Sequence, residues 1–359
     1  MCHSITISLC MIVKDEELSL DRCLSSIKDA VDEIIIVDTG STDSTKNVAK
    51  KYTDKIYDFT WIDDFSAARN FAFSKATMDY ILWLDADDYI EPPDLEKLKE
   101  LKNDFDKSID SVTMKYVLAK DLNGNPSFIS TRNRLVKRSR NFKWIGAVHE
   151  YLEVYGKIYN SDIQIIHGKI KNTPNRNIEI YEKMIESKKD FSPRDMFYYA
   201  NELAEHKRYA EAIEYYNMFI NSKKGWIEDI LYSLGKLADC YEALGDLSKR
   251  DEALFKSLEY DIPRPDFCCR LGFKFLQENK IKQAIFWYEL ATKVEKPKQG
   301  FVNIACYTWL PHIQLCICYY KLGDMEKSYM HNEEARKYSP NNPMVLQNKT
   351  FLESLIDSK

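Results

Sequence analysis

The nine cysteines of this 359-residue chain form no CxxC pair and no CxxC…HxxxH spacing, so neither a zinc site nor a disulfide framework is indicated. Most of them, including Cys240, Cys268, Cys306, Cys316 and Cys318, fall in segments of helical periodicity, where buried thiols in a reducing compartment account for them. Long apolar runs are missing too. The longest span a few residues, such as "IIIV" at 34–37, far short of a bilayer crossing. The opening "MCHSITISLC" lacks the basic stretch and long apolar stretch of a secretory signal. A soluble, cytoplasmic protein without stable membrane insertion is therefore expected. Basic charge is not in excess: 51 Lys and Arg against 56 Asp and Glu leave a net −5, which gives no footprint for a nucleic-acid backbone. A nucleotide-sized ligand stays open, because it needs one pocket rather than a charged face.

What is present divides near residue 173. At 359 residues the chain is long enough for two domains with their own cores. In the first part, strand-like runs alternate with helical ones. "ITISLCMIV" (5–13), "DEIIIVD" (32–38), "KIYDFTW" (55–61) and "YILWL" (80–84) have strand character, while 16–30, 41–52 and 64–77 have helical spacing. Such alternation predicts a mostly parallel, Rossmann-like sheet covered on both faces. From 111 to 166 the pieces "SVTMKYVLA", "RNRLVKR" and "DIQIIH", with the turn "DLNGNP" (121–126), predict antiparallel additions at the sheet edge. Beyond 174 only amphipathic helices are expected. "CYEALGD" at 240 recurs as "CYYKLGD" at 318, and "RYAEAIEYYNMFI" at 208 is echoed by "KIKQAIFWYELAT" at 280. These separations approximate two units of a helix–turn–helix repeat of about 34 residues. Small residues beside large ones, Ala212 near Tyr209 and Ala284 near Ile281, suit closely stacked helix pairs, so 174–359 is expected to be a tetratricopeptide-like solenoid.

One stretch conflicts with simple patterning. In "YILWLDADDYIEPP" (80–93) an apolar strand runs straight into Asp85, Asp87 and Asp88. At the carboxyl end of a strand in a parallel sheet such residues stand at a ligand crevice. If the chain stays extended there, Asp85 and Asp87 face one side with Ala86 turned away, and a divalent ion relieves their repulsion while holding a diphosphate. A calcium loop beginning at Asp85 is disfavoured, because Ile90 replaces the required glycine and Pro92-Pro93 interrupt it. Helix capping falls to Asp94 and the prolines, and leaves Asp85 and Asp87 unexplained.

"ISLCMIVKDEE", "DEIIIVDTGSTDST", "FSAARNFAFSKAT" and "YILWLDADD", in this order, resemble the family 2 glycosyltransferases of GT-A fold. The resemblance implies a GT-A domain over 1–173, followed by the helical repeats of 174–359. It also implies an inverting transfer of a hexose or N-acetylhexosamine from a nucleotide-sugar, most often a UDP-sugar, with Mg²⁺ or Mn²⁺ held at Asp85-Ala86-Asp87. "FKWIGAVHEYL" (142–152) and "IIHG" (165–168), followed by repeats, resemble bacterial peptide and protein glycosyltransferases, among them the S-glycosyltransferases of bacteriocins. By the same resemblance Ile12, Val13 and Lys14 cradle the base, Glu16 matches an acidic residue common in the nucleotide-sugar site of the family, and Asp38 reads the uracil or ribose, although Thr39 stands where many relatives carry a second acid. Arg69 and Asn70 face the diphosphate or sugar. Ser41 and Thr42 are expected to cap a helix and nothing more.

For the chemistry, Glu150 suits a base that deprotonates the acceptor, with Asp88 next in line, and His149 or His167 suits an added metal or phosphate ligand. The expected acceptor is a peptide or protein chain presented by the repeats. The alternatives are a cell-surface glycan or lipid-linked sugar acceptor, or a non-catalytic scaffold with a degenerate catalytic domain; a homodimer is left open.

Overall fold

The computed structural model describes residues 4–120, 126–168, 175–295 and 303–356. Most of the turn expected at 121–126 lies outside them. Two compact units emerge, Met1–Lys189 and Asp190–Lys359. The division falls later than the 173/174 boundary expected from the change in patterning, because helix Arg176–Glu186 groups with the first unit: Arg176 stacks over the Phe65 ring at 4.7 Å and Lys183 pairs with Asp63 at 2.9 Å.

The first unit begins with β1 (Ile7–Val13), α1 (Leu20–Ile27), β2 (Glu33–Asp38), α2 (Thr45–Ala49), β3 (Ile56–Asp58), α3 (Phe65–Lys75) and β4 (Tyr80–Trp83). It continues through β5 (Asp88–Tyr89), α4 (Pro92–Asn103), β6 (Ser111–Lys120), β7 (Pro126–Lys137), β8 (Lys143–Ile145), β9 (Tyr151–Glu153), β10 (Ile158–His167) and α5 (Arg176–Glu186). Eight strands form one sheet in the order β3-β2-β1-β4-β7-β6-β10-β5, and β8-β9 form a separate pair. β3, β2, β1 and β4 run parallel, and the order reverses between β1 and β4. β7 joins β4 and β6 antiparallel, β10 is parallel to β6, and β5 closes the edge antiparallel to β10. The sheet is thus a GT-A-like mixed sheet whose parallel half carries the Rossmann-like winding.

Period-two alternation explains how both faces are buried. Ile7, Leu9, Met11, Tyr80 and Leu82 pack on one side with α1, whereas Cys10, Ile35, Val37, Ile81 and Trp83 pack on the other with Ala72 of α3. The carboxyl ends of β1 and β4 therefore flank the topological switch point, where a crevice opens in sheets of this kind.

Among the described residues, the second unit holds only helices: α6 (Pro193–Glu205), α7 (Tyr209–Asn221), α8 (Ile227–Ala243), α9 (Leu247–Lys256), α10 (Pro265–Gln277), α11 (Ile281–Ala291), α12 (Trp309–Lys321), α13 (Met325–Tyr338) and α14 (Pro343–Ile356). Successive helices pack as α6 with α7, α8 with α9, α10 with α11 and α12 with α13, a tetratricopeptide-like arrangement. The sequence echoes coincide in three dimensions. Gly245 and Gly323 both take φ +79° between paired helices, and the next residues, Asp246 and Asp324, each accept from the backbone N–H three positions on at 3.1 Å. Ala212 and Ala284 are fully buried where helices meet. No helix of the described residues is long and apolar enough to cross a membrane.

Candidate functional site

Where β4 ends, the Asp88 N–H donates to the Asp85 carbonyl at 3.0 Å and closes a tight turn over 85–88. The extended geometry expected there is absent. The turn separates the two carboxylates: Asp85 goes to Arg69, and Asp87 joins Asp88 and His167. Ala86 is buried beneath them. Asp85 Oδ1 accepts from Arg69 Nη2 at 2.7 Å, and Arg69 Nε donates to Glu150 Oε1 at 2.6 Å. Arg69, 9% exposed, thus bridges two acids contributed by different loops. Its guanidinium sits 5.1 Å from the Trp83 ring and 4.8 Å from the Trp144 ring, so two indole faces strip water from the charge and fix its plane. Burial pushes the Asp85 carboxyl up, and the guanidinium groups of Arg69 and Arg134 more than reverse this, leaving it below its ordinary value.

Helix α3 aims Arg69 because Asp64 caps its start, accepting from the Ala67 N–H at 2.9 Å, while Ala68 and Ala72 bury the stripe beside it. The adjacent Asn70 is committed elsewhere. Its Nδ2 donates to the Trp144 carbonyl at 2.9 Å and its Oδ1 accepts the Trp144 N–H at 3.0 Å. That pair of bonds holds β8, and so the Gly146–Glu150 turn, against α3.

Asp87, Asp88 and His167 each offer a ligand atom, all within 4.8 Å of one another. The edge pairing of β10 with β5 sets His167 opposite Asp88. Burial, reinforced by Asp85, Asp88 and Glu16 and opposed by His167, pushes the Asp87 carboxyl up to about 6. Asp88 and then Asp87 hold the His167 imidazole above its ordinary value against the pull of burial. Hard carboxylate oxygen plus an imidazole, with negative charge short of neutralisation, is a donor set that fits Mg²⁺ or Mn²⁺. Asp85 and His149, expected on the metal, are not in this group among the described residues. Asp85 is turned to Arg69, and His149 occupies a left-handed backbone position, φ +50°, in the turn after Gly146. Asp88, the alternative base, has no exposed surface.

On the other flank, β1 and β2 end in register, Val13 opposite Asp38. Ile12 and Val13 turn their side chains into the cores, and the Val13 carbonyl accepts from the Thr39 N–H and hydroxyl at 2.9 and 3.1 Å. Asp38 Oδ1 accepts from the Gly40 and Ser41 N–H groups at 2.9 Å each, while its Oδ2 is buried without a hydrogen-bond partner. The segment following Lys14 is laced to the one after β2. The Asp15 N–H donates to Ser41 Oγ at 2.9 Å, the Thr42 N–H donates to Asp15 Oδ1 at 2.6 Å, and the Glu16 N–H donates to Thr45 Oγ1 at 2.6 Å. Glu16 Oε2 accepts from Ser19 Oγ at 2.5 Å. Ser41 and Thr42 therefore join two loops rather than cap α2, whose first turn shows no side-chain cap.

Sequence reasoning missed four residues here. Trp83 and Trp144 flank Arg69, and Tyr116 and Arg134 lie behind the acids. Arg134 sits where β7 carries an extra residue relative to β6, between the pairs Val112–Leu135 and Thr113–Asn133. Such a bulge re-aims its side chain inward. A period-two pattern gives no sign of it, and "RNRLVKR" looks like a solvated edge.

Residues 8–158 match the model of the family described as Glycosyl transferase family 2. The SPbeta prophage-derived glycosyltransferase SunS of Bacillus subtilis is 30% identical over 233 residues, 61% of this chain and 54% of that protein. A TPR repeat-containing protein of Synechococcus elongatus is 50% identical over 101 residues, 28% of this chain and 24% of that protein. The chain thus spans about half, or less, of the length of these curated relatives. A solved glucosyl-3-phosphoglycerate synthase from Mycobacterium tuberculosis, in complex with Mn²⁺, uridine-diphosphate-glucose and phosphoglyceric acid, is 22% identical with a TM-score of 0.27, covering 31% of this chain and 44% of that one.

Proposed function

From a chain that carries a family 2 glycosyltransferase domain followed by tetratricopeptide-like helices, we propose a divalent-cation-dependent, inverting transfer of a hexose or N-acetylhexosamine from a nucleotide-sugar, a UDP-sugar first, to a peptide or protein side chain. The observation that carries the reading is the convergence of Asp87 and His167 beside the switch point between β1 and β4. These two residues would hold Mg²⁺ or Mn²⁺, which would supply charge neutralisation for a diphosphate. The chain's own residues do the rest. Asp38 Oδ2, a buried acceptor lacking a partner, suits a nucleoside N–H or ribose hydroxyl, with the Ile12–Glu16 backbone alongside. Arg69, fixed between Asp85 and Glu150, orients the diphosphate–sugar end. In the transfer the acceptor oxygen or sulfur attacks the anomeric carbon, the bond to the diphosphate oxygen breaks, and the acceptor proton passes to Glu150. The helical repeats suit presentation of an extended acceptor chain.

Incubation with a panel of UDP- and GDP-sugars, with Mn²⁺ and with a chelator, tests the reading through nucleotide release. Release from one donor, abolished by the chelator, is expected. No release from any donor under either condition would favour the scaffold alternative.

A further inference from the structure

Asp88 is the odd member of the acidic cluster. It lies within reach of the same point as Asp87 and His167, yet both of its oxygens are already engaged. Oδ2 accepts from the Asp85 N–H at 3.0 Å and faces Arg134 Nη1 at 3.0 Å, and Oδ1 accepts from the Tyr116 hydroxyl at 2.9 Å. Asp88 and Arg134 have no exposed surface, and Tyr116 is 7% exposed. A carboxylate so enclosed and so fully hydrogen-bonded is a fixed counter-ion for the buried guanidinium. Arg134 is held in turn by the faces of Trp83 and Tyr116, at 3.9 and 4.5 Å.

The Tyr116 oxygen also lies 2.8 Å from His167 Nδ1. A phenol carries one proton and cannot donate it both ways. If that proton pointed at His167, the phenol lone pairs would confront the Asp88 carboxylate at 2.9 Å inside a buried site, a repulsion that a proton on the Asp88 side turns into a hydrogen bond. With the proton on the Asp88 side, the stronger acceptor, the phenol oxygen becomes an acceptor and His167 must supply an Nδ1–H. The two nearest carboxylate oxygens, on Asp87 and Asp88, stand 3.6 Å from Nδ1, too far for a direct hydrogen bond, so the phenol is the partner that fixes the ring. The order of donation then runs from His167 to Tyr116 to Asp88, with Arg134 behind it. Backbone register builds this row: His167 pairs with Asp88 across β10 and β5, and Ile165 pairs with Tyr116 across β10 and β6.

We infer that Tyr116 is a positioning residue that holds His167 as the Nδ1–H tautomer, leaving the Nε2 lone pair as the donor atom for a divalent cation, with Asp88 the anchor of the relay rather than a ligand. The donor-atom clause rests on the cation-dependent reading above; the tautomer itself does not. A histidine that ligates through one ring nitrogen ordinarily has the other tied by such a partner, and loss of that partner weakens metal affinity by about 10–100-fold.

The test uses the full-length protein with ¹⁵N-labelled histidine, whose six imidazoles are separated by two-bond ¹H–¹⁵N correlation at about pH 9, where the ring is neutral. His167→Gln identifies the resonance by its disappearance. The wild type is expected to show a protonated Nδ1 and an unprotonated Nε2 at His167. Tyr116→Phe, which deletes one oxygen, should release the ring to a mixed or Nε2–H state and weaken Mn²⁺ binding, followed calorimetrically, by about 10–100-fold. An Nε2–H imidazole at His167 in the wild type overturns the inference without recourse to any variant, and so does a Tyr116→Phe tautomer identical to wild type. If the tautomer behaves as expected but the wild type binds no Mn²⁺, the positioning role stands and the cation-dependent reading of the site fails.

Discussion

Glu33, the first residue of β2, shows how a single buried carboxylate ties the sheet together. It accepts from Ser8 Oγ of β1, from the Thr77 N–H and hydroxyl at 2.9 Å each, and from Lys55 Nζ. Burial alone raises its pKa, and the Lys55, Ser8 and Thr77 contacts bring it down to about 2. A depressed carboxylate adds stability above its unfolded value, and that stability is lost as pH falls from about 4.5 towards 2. Glu33→Gln should therefore cost about 1–3 kcal/mol at neutral pH, with the difference from wild type shrinking below about pH 4; denaturant melts at pH 7 and pH 3.5 measure both values. Glu150 calls for a kinetic test, because its pairing with Arg69 gives it two separable duties. As the base, Glu150→Gln should lower turnover by roughly 10²–10⁴ with donor affinity unchanged, and less for a thiol acceptor, which ionises more readily. As a mere partner for Arg69, it should shift donor affinity along with turnover, a split that kcat and KM separate.

Elements with a strong local signature were legible from the residues alone. β1, β2 and β4 are continuous apolar runs, α3 carries its own cap at Asp64, and the repeated "LGD" marks one turn used twice. What escaped depends on long-range pairing or on backbone that departs from the period. β4 ends at Trp83 and the 85–88 turn follows, so Asp85 and Asp87 do not share a side. Preference for His167 over His149 at the acids follows from an edge pairing of β10 with β5, separated by most of a domain in sequence. Arg134 faces inward through a bulge, and the Asn70 clamp on β8 joins residues 74 positions apart. The repeated turn also yields a clean test. At Gly323, φ is +79° and an added Cβ would meet nothing within 4 Å, so substitution costs backbone strain and no clash. Gly323→Ala should destabilise the second unit by about 1 kcal/mol, visible as faster amide exchange in α12 and α13; unchanged exchange would remove the left-handed turn as the reason for glycine there.

At the scale of the whole molecule, the two units differ in what they carry. Met1–Lys189 contains the switch point between β1 and β4, the acids and the Arg69 bridge, and Asp190–Lys359 contains stacked helix pairs with exposed apolar residues such as Phe286, Tyr338 and Phe351. Asp87, half-buried among other acids and opposed only in part by His167, is the residue on which the proposed cation site rests. The central claim is thus that Asp87 couples cation and nucleotide-sugar binding. The most direct measurement is a calorimetric titration of the reactive donor, chosen from the nucleotide-sugar panel, into wild type and Asp87→Asn, each with Mn²⁺ and with a chelator. The account predicts tight binding only for wild type with Mn²⁺, with affinity falling at least about tenfold on chelation or substitution. Equal donor affinity in all four titrations would contradict it.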